Sequence, residues 1–144
     1  QAAAADVPLR LPEDSVCAAA PSPGAERGVY PSDAIPAGLK GLDIGPAARE
    51  AFTAALRGAK TVFWNGPMGV FEVEGFDEGT LAVARALASL EGAFTVVGGG
   101  DSVAAVNRAG VADAISHVST GGGASLEFVE NGDLPGLAVL RHDG

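Results

Sequence analysis

The sequence reads Phe94-Thr-Val-Val-Gly-Gly-Gly-Asp-Ser102 in one stretch and Ile115-Ser-His-Val-Ser-Thr-Gly-Gly-Gly-Ala124 in another. Each passes from an apolar, strand-like run through glycines into a helix-like run, and Thr61-Val-Phe-Trp-Asn-Gly-Pro-Met-Gly69 has the same order of features. In a parallel sheet such turns meet at the carboxyl edge, where α/β proteins bind ligands. Glycines allow a close approach, and a helix N-terminus offers free N–H groups and partial positive charge. The three turns therefore predict a phosphate or nucleotide site.

Composition indicates one folded domain without a basic face. The chain has 144 residues, of which 47% are hydrophobic, enough for the core of one ordinary domain. Its 21 glycines are about twice the usual share of ~7%. The net charge of −9 argues against nucleic-acid binding, which needs a basic surface. Lys40 and Lys60 are the only lysines and neither lies in a glycine turn. A bound polyphosphate would therefore need Mg²⁺ or cations absent from this sequence.

Residue usage predicts a cytoplasmic protein. Cys17 is the single cysteine, which excludes an internal disulfide and a cysteine-based metal cage. The N-terminal region has no run long enough for a signal peptide or a membrane span, although the opening Gln-Ala-Ala-Ala-Ala reads like the middle of a chain. His117 and His142 are too far apart for metal-ligand spacing, and we expect His142 to be solvated in the tail.

Apolar runs and turn signals predict alternating strands and helices, as in βαβ crossovers and a parallel sheet. The predicted strands are Ser15–Ala19, Thr61–Asn65, Phe94–Val97 and Ile115–Ser119, with a weak signal at 28–30. One helix is predicted to begin at Pro46 and stop at Gly58, and others to span Thr80–Leu90, Ser102–Ala109 and Ala124–Glu130, the last of them terminated by Gly132. The expected buried positions are Ala48, Phe52, Ala55 and Leu56, then Leu81, Ala84, Leu87 and Ala88, then Leu126 and Val129.

Each turn admits a binding role and a purely structural one. Asp101 would suit Mg²⁺ shared with phosphate oxygens, or would simply cap the following helix. The three glycines from Gly121 exceed the need of a tight turn, and their N–H groups could hold a phosphoryl group. Asn65 could hydrogen-bond a phosphate or a base, Pro67 offers a flat apolar face, and Glu72 could accept from ribose hydroxyls. Asn65 could equally only stabilise its turn.

Several known catalytic motifs do not occur in the sequence. There is no Gly-x-x-x-x-Gly-Lys-Ser/Thr loop, no Gly-x-Gly-x-x-Gly fingerprint and no Gly-x-Ser-x-Gly elbow. The sequence therefore offers few residues suited to acid–base or nucleophilic catalysis. Phosphoryl transfer fits better, because it depends mainly on positioning and charge stabilisation.

The glycine turns together resemble the phosphoglycerate kinase family. The residues that carry the resemblance are Trp64-Asn-Gly-Pro-Met-Gly-Val-Phe-Glu72, Gly98-Gly-Gly-Asp-Ser102, Ser116-His-Val-Ser-Thr-Gly-Gly-Gly-Ala-Ser-Leu-Glu127, Gly41-Leu-Asp-Ile-Gly-Pro46 and Leu134-Pro-Gly136. The resemblance runs from about Leu11 to about Leu140. It implies phosphoryl transfer between 1,3-bisphosphoglycerate and MgADP, giving 3-phosphoglycerate and MgATP in glycolysis. It also implies a monomeric two-domain enzyme that closes about a hinge.

The resemblance implies a role for each matching residue. Asp101 would be the Mg²⁺-linked carboxylate, and Gly99, Gly100 and Ser102 would lie against the nucleotide phosphates. Asn65 would also contact the phosphates, Pro67 the adenosine and Glu72 the ribose, while Gly41 would border the adenine pocket. Gly121 and Gly122 would hold the phosphoryl group in flight, and Ser119 and Thr120 match the hinge-linked segment.

The resemblance also predicts an incomplete domain. The implied fold class is α/β, a Rossmann-like three-layer αβα domain present only in part, with the later strands of a six-stranded parallel sheet. Residues 11–144 would be the C-terminal portion of the nucleotide-binding domain, and residues 1–10 a linker or frayed end. The acid-binding domain and the lysine-bearing Gly-Gly-Ala-Lys segment do not occur here, so we expect no activity from this chain alone. Alternatives are a non-catalytic nucleotide-binding module and a structural fragment.

Overall fold

The computed structural model describes residues 2–141; Gln1 and residues 142–144, including the tail position His142, lie outside the described residues. Within residues 2–141, three strands follow a short 3₁₀ turn at Ala2–Ala5, helices and strands then alternate as far as the sixth strand, and two helices end the described chain; a second 3₁₀ turn spans Ala112–Ala114. The strands are β1 (Asp14–Ala18), β2 (Gly28–Pro31), β3 (Lys40–Ile44), β4 (Thr61–Asn65), β5 (Phe94–Gly98) and β6 (His117–Ser119). The helices are α1 (Pro46–Leu56), α2 (Glu78–Ala88), α3 (Gly100–Arg108), α4 (Gly122–Asn131) and α5 (Pro135–Arg141).

A parallel sheet in the order β4-β5-β6 forms the centre of the larger core. Helices flank it on both faces, which confirms the predicted α/β class. One face buries Trp64 and Val97 against α2 and α3. On the other face Phe63 and Val96 line an apolar groove beneath α4 and α5. The carboxyl ends of β4 and β5 lie side by side, with Asn65 opposite Gly98.

The first three strands form a separate antiparallel sheet, in the order β2-β1-β3. The predicted parallel sheet is confirmed for β4, β5 and β6 but does not include these first three strands. The connection from Ala19 to Arg27 contains no helix. A parallel pairing needs a crossover of a dozen or more residues, so this shorter link returns the chain antiparallel.

Several predicted positions differ in the structure. Ala55 is exposed on α1, and Leu126 and Val129 on α4 are 46% and 71% exposed rather than packed. Val129 lines the apolar groove, which α4 borders but leaves open to solvent. Ile115 is buried but precedes β6, which is shorter than predicted. Helix α5 was not predicted.

Other local predictions are confirmed. Strand β4 has the predicted bounds, and helix α1 begins with Pro46 at its first position. Gly132 ends α4 in the left-handed conformation, with φ of 72°, which a residue without a side chain adopts easily. Within residues 2–141, no helix has both the length and the apolar composition needed to cross a membrane.

Candidate functional site

The glycine turns after β5 and β6 are in direct contact, and Asn65 at the end of β4 lies beside them. A Cβ added to Gly122 would lie 2.5 Å from the Asn65 Oδ1 and 2.8 Å from the Gly99 Cα. The Gly99 N–H donates to the Ser119 carbonyl across 3.0 Å. We call this surface the glycine edge, formed by Asn65, Gly99–Ser102 and Gly121–Gly122. The structure thus brings together at least one predicted residue from each of the three turns.

The glycine edge contains the N-termini of α3 and α4, whose first turns have no intrahelical acceptor for their N–H groups. The other long helices differ. The Asp14 carboxylate accepts from the Ala47 and Ala48 N–H groups of α1, and the Asp43 carboxylate accepts from the Gly79 N–H of α2. Within residues 2–141, no side chain accepts from the first turns of α3 and α4, although the Gly121 N–H, at the N-cap of α4, donates to the Ser119 Oγ across 3.2 Å. Two adjacent helix N-termini are therefore available to an anion.

Asp101 is the carboxylate of the glycine edge. The capping alternative is not observed, because the N-cap of α3 is Gly99, with φ of 92°, and Asp101 lies inside the first turn. The residue is exposed, and its carboxylate makes no hydrogen bond or ion pair within the described residues. Residues 2–141 contain no cluster of three His, Cys, Asp or Glu suited to a metal ion. A single carboxylate fits Mg²⁺ that shares its other oxygen ligands with phosphates and water.

Hydrogen bonds hold the turn after β4 in place. The Gly66 N–H donates to the Ser102 Oγ across 2.7 Å, and the Met68 N–H donates to the Thr80 Oγ1 across 3.0 Å. Ser102 and Thr80 are fully buried. The Ser102 hydroxyl therefore connects two turns of the site, and its predicted contact with nucleotide phosphates remains a prediction.

Both Gly41 and Pro67 line a cleft of about 360 Å³. Its other walls come from β3, from the turn after β4, and from Pro12 and Ser15 around the start of β1; they include Leu42, Met68 and Val70. Asn65 and Pro67 are only two residues apart, so one turn contributes to both the glycine edge and the cleft. The arrangement suits a ligand with an anionic end and a flat, less polar end.

Glu72 belongs neither to the glycine edge nor to the lining of the cleft. It is exposed in the loop 66–77, and its side chain makes no hydrogen bond or ion pair within the described part of the chain. The loop separates β4 from α2, so the first glycine turn does not lead directly into a helix as the second and third do. Glu72 remains a predicted ribose contact.

Sequence reasoning missed three polar residues that hold the site. Thr80 and Asp43 are buried, and Arg108 on α3 donates to the Phe71 carbonyl and pairs with Asp77. The Asp43 Oδ2 accepts from the Gly79 N–H across 2.7 Å, and its Oδ1 accepts from the Ile44 N–H across 2.9 Å. Asp43 stands out in the sequence only as a polar residue between Leu42 and Ile44, which does not identify a partner, and Thr80 and Arg108 carry no such signal.

Burial raises the pKa of the Asp43 carboxyl to about 6. Its two backbone hydrogen bonds lower the pKa, but by less than burial raises it. Arg49 also lowers this pKa, and Asp77 raises it. The folded protein therefore holds a proton on Asp43 at pH values where the unfolded chain has lost it. This contribution to stability is complete below the unfolded pKa of 3.8 and is lost as the pH rises through about 6.

We expect Asp43→Asn to change how stability depends on pH. Because asparagine does not titrate, the free energy of unfolding of the variant should rise relative to the unmutated chain between pH 4 and pH 7. The rise should be at most about 3 kcal/mol and should level off above pH 7. Urea unfolding at a series of pH values measures it. Asp33→Asn, at an exposed carboxylate, is the control. Parallel pH profiles for Asp43→Asn and the unmutated chain would contradict the assignment.

Comparison with known proteins gives the site a family context. A family model described as Phosphoglycerate kinase matches residues 1–132. The match includes residues 1–10, which the sequence resemblance did not reach; the boundary drawn at residue 11 stays a prediction.

Individual relatives agree with the family match. Phosphoglycerate kinase of Thermus thermophilus is 68% identical over 141 residues, which cover 98% of this chain and 36% of that protein. The solved structure of phosphoglycerate kinase from Coxiella burnetii superposes with a TM-score of 0.88 at 40% identity, covering 99% of this chain and 36% of the other. For the enzyme from Pyrococcus horikoshii the TM-score is 0.76 at 36% identity, covering 92% and 32%. The chain thus spans about a third of the length of these relatives.

Proposed function

The chain belongs to the phosphoglycerate kinase family, and on that premise we propose that it forms part of the Mg-nucleotide site of a glycolytic phosphotransferase. The reaction is reversible phosphoryl transfer between 1,3-bisphosphoglycerate and MgADP, which gives 3-phosphoglycerate and MgATP. The acid substrate would bind to a domain that is not in this sequence, and the enzyme would act as a monomer in the cytoplasm.

One observation carries the proposal: the N-termini of α3 and α4 touch at the glycine edge, and no side chain within residues 2–141 occupies their first turns. Each N-terminus carries a partial positive charge and outward N–H groups, which favour phosphate oxygens. The chain is acidic and has no lysine at the glycine edge, so the attraction for an anion there comes from these backbone groups. The neighbouring cleft at Gly41 and Pro67 offers space for a nucleoside.

The proposed roles follow from these positions. Gly99, Gly100 and Asn65 contact the nucleotide phosphates, and Ser102 holds the turn beside them. Gly121 and Gly122 bind the transferred phosphoryl group through backbone N–H groups, and the Gly121 N–H would exchange its bond to the Ser119 Oγ for one to that group. Gly41 and Pro67 border the adenosine, and Glu72 accepts hydrogen bonds from the ribose hydroxyls.

Asp101 is the residue that would hold Mg²⁺. Its exposed carboxylate has no partner in the described residues and lies in the first turn of α3, beside the proposed phosphate position. When bound, the ion supplies positive charge that neutralises phosphate oxygens. Asp101 itself orients that charge, while the α3 and α4 backbones fix the phosphates.

Titration with MgADP tests the proposal, followed through the fluorescence of Trp64. This is the single tryptophan, buried in the core and adjacent in sequence to Asn65. We expect a saturable change with MgADP. No change in a chain shown to be folded by circular dichroism would contradict a nucleotide site within these residues.

We expect the chain alone to bind nucleotide without turnover. Both lysines lie away from the glycine edge, Lys40 on β3 and Lys60 before β4, and phosphoryl transfer needs cations around the transferred group. A coupled assay for ATP formation from 1,3-bisphosphoglycerate and MgADP measures this. Turnover above a buffer blank would refute the expectation. A non-catalytic binding module would also bind MgADP without turnover. Adding the missing part of the enzyme from a relative distinguishes the two hypotheses, because only a part of the enzyme would then regain turnover.

A further inference from the structure

The loop 66–77 connects the two cores of the protein, and Glu72 lies in its middle. Phe71, immediately before Glu72, is buried in the core of the parallel sheet. Phe76, four residues after Glu72, is fully buried in the core of the antiparallel sheet. The backbone on both sides of Glu72 is therefore anchored, while the Glu72 side chain itself is exposed.

One guanidinium holds this loop at two points. Arg108, the last residue of α3, donates from its Nη1 to the Phe71 carbonyl. Its Nη2 donates to the Asp77 Oδ2 across 2.7 Å. The other oxygen of that carboxylate, Oδ1, accepts from the Gly75 N–H across 3.1 Å. Arg108 thus closes residues 71–77 into a loop of fixed shape.

The geometry of these contacts favours a positioning role over a simple stabilising one. The Asp77 side chain is only 11% exposed, so its pairing with Arg108 is partly shielded from water, whereas most surface ion pairs contribute little. The contact at the Phe71 carbonyl lies on the peptide unit that precedes Glu72. A fixed backbone at that point restricts where the Glu72 carboxylate can reach.

We infer that Arg108 is a positioning residue for Glu72 and thereby sets the preference of the site for nucleotides that carry ribose hydroxyls. The inference rests on the proposed function, because it takes Glu72 to accept from those hydroxyls. Arg108 itself does not touch the ligand. It also links the two parts of the site mechanically, since α3 begins at the glycine edge and ends at Arg108.

The test compares binding of MgADP with binding of the magnesium complex of 2′,3′-dideoxy-ADP, by calorimetry. In the unmutated chain we expect MgADP to bind about ten- to a hundredfold more tightly, the scale of hydrogen bonds to a charged group. Glu72→Gln should remove most of that preference. Arg108→Met should reduce it by at least about fivefold while leaving the affinity for the dideoxy nucleotide within about twofold. The double variant should resemble Glu72→Gln alone.

Two further variants separate positioning from general damage. Arg85→Met removes an exposed arginine of α2 that makes no ion pair within residues 2–141, and it should keep the full preference. Asp77→Asn keeps an acceptor for the Gly75 N–H but loses the charge that Arg108 pairs with. It should reduce the preference in the same direction as Arg108→Met, and it serves as the readout if Arg108→Met does not fold.

Each outcome decides between the hypotheses. A variant of Arg108 or Asp77 that weakens both nucleotides equally, or leaves their ratio unchanged, would overturn the positioning role. MgADP binding without any preference over the dideoxy nucleotide in the unmutated chain would overturn it too, while leaving the proposed function intact. Absence of MgADP binding in the unmutated chain would overturn the proposed function itself, and the inference with it.

Discussion

Gly122→Ala is expected to destabilise the protein and to weaken MgADP binding strongly. The added Cβ would lie 2.5 Å from the Asn65 Oδ1 and 2.8 Å from both the Cα and the N of Gly99. Two of these three atoms are backbone, so relief of the clash requires α3 and α4 to move apart. Overpacking of this kind costs about 1–3 kcal/mol, and we expect the upper end of that range in urea unfolding. Affinity for MgADP should fall at least about tenfold, because the two N-termini would no longer converge.

Gly123→Ala is the matched comparison for stability. It lies one residue further along α4, and an added Cβ would meet nothing within 4 Å. Since alanine favours the helix, stability should stay the same or rise by up to about 1 kcal/mol. Equal stability of Gly122→Ala and Gly123→Ala would show that the close contact between the two glycine turns is wrong.

Asp101→Ala is expected to make nucleotide binding insensitive to Mg²⁺. The affinity for MgADP should fall about ten- to a hundredfold, the scale of losing one charge-assisted contact. In the presence of EDTA the direction should reverse. Free ADP is anionic, so removal of the Asp101 carboxylate removes a repulsion, and the variant should bind free ADP as well as or better than the unmutated chain. Calorimetric titrations with and without Mg²⁺ measure both effects.

Asp113→Ala is the control for this experiment. Asp113 is an exposed carboxylate in the 3₁₀ turn between α3 and β6, with no hydrogen bond or ion pair in the described residues. Its removal changes the net charge by the same amount as Asp101→Ala. An equal loss of MgADP affinity in both variants would mean that Asp101 acts only through overall charge, and the proposed Mg²⁺ role would fail.

The glycine edge could be predicted from the sequence because its signals are local. Each of the two glycine runs follows a strand and precedes a helix, and parallel strands bring such turns to one edge. The structure places the two runs in contact, with Asn65 from the first turn beside them. Local sequence features also predicted the bounds of β4 correctly, and they predicted that α4 ends at Gly132.

The partners across the fold could not be predicted, because they depend on packing between distant segments. Arg108 lies 31 residues from Asp77, and Asp43 lies 36 residues from Gly79. Nothing local marks these pairs. The exposure of Leu126 and Val129 was missed for a related reason: apolar spacing predicts an inward face but does not say whether anything covers it. The antiparallel sheet was missed because the sequence gives only a weak strand signal at β2 and none was predicted at β3, so the short link after β1 was not recognised as joining two neighbouring strands.

The most direct test of the account maps glycine amides by NMR in a chain labelled with ¹⁵N-glycine. MgADP and adenosine are compared, since adenosine lacks the phosphates. We predict that MgADP shifts the amides of Gly99, Gly100, Gly121 and Gly122 together with Gly41, whereas adenosine shifts Gly41 alone. Unchanged amides at the N-termini of α3 and α4 at saturating MgADP would contradict the central claim that these two helices bind the nucleotide phosphates.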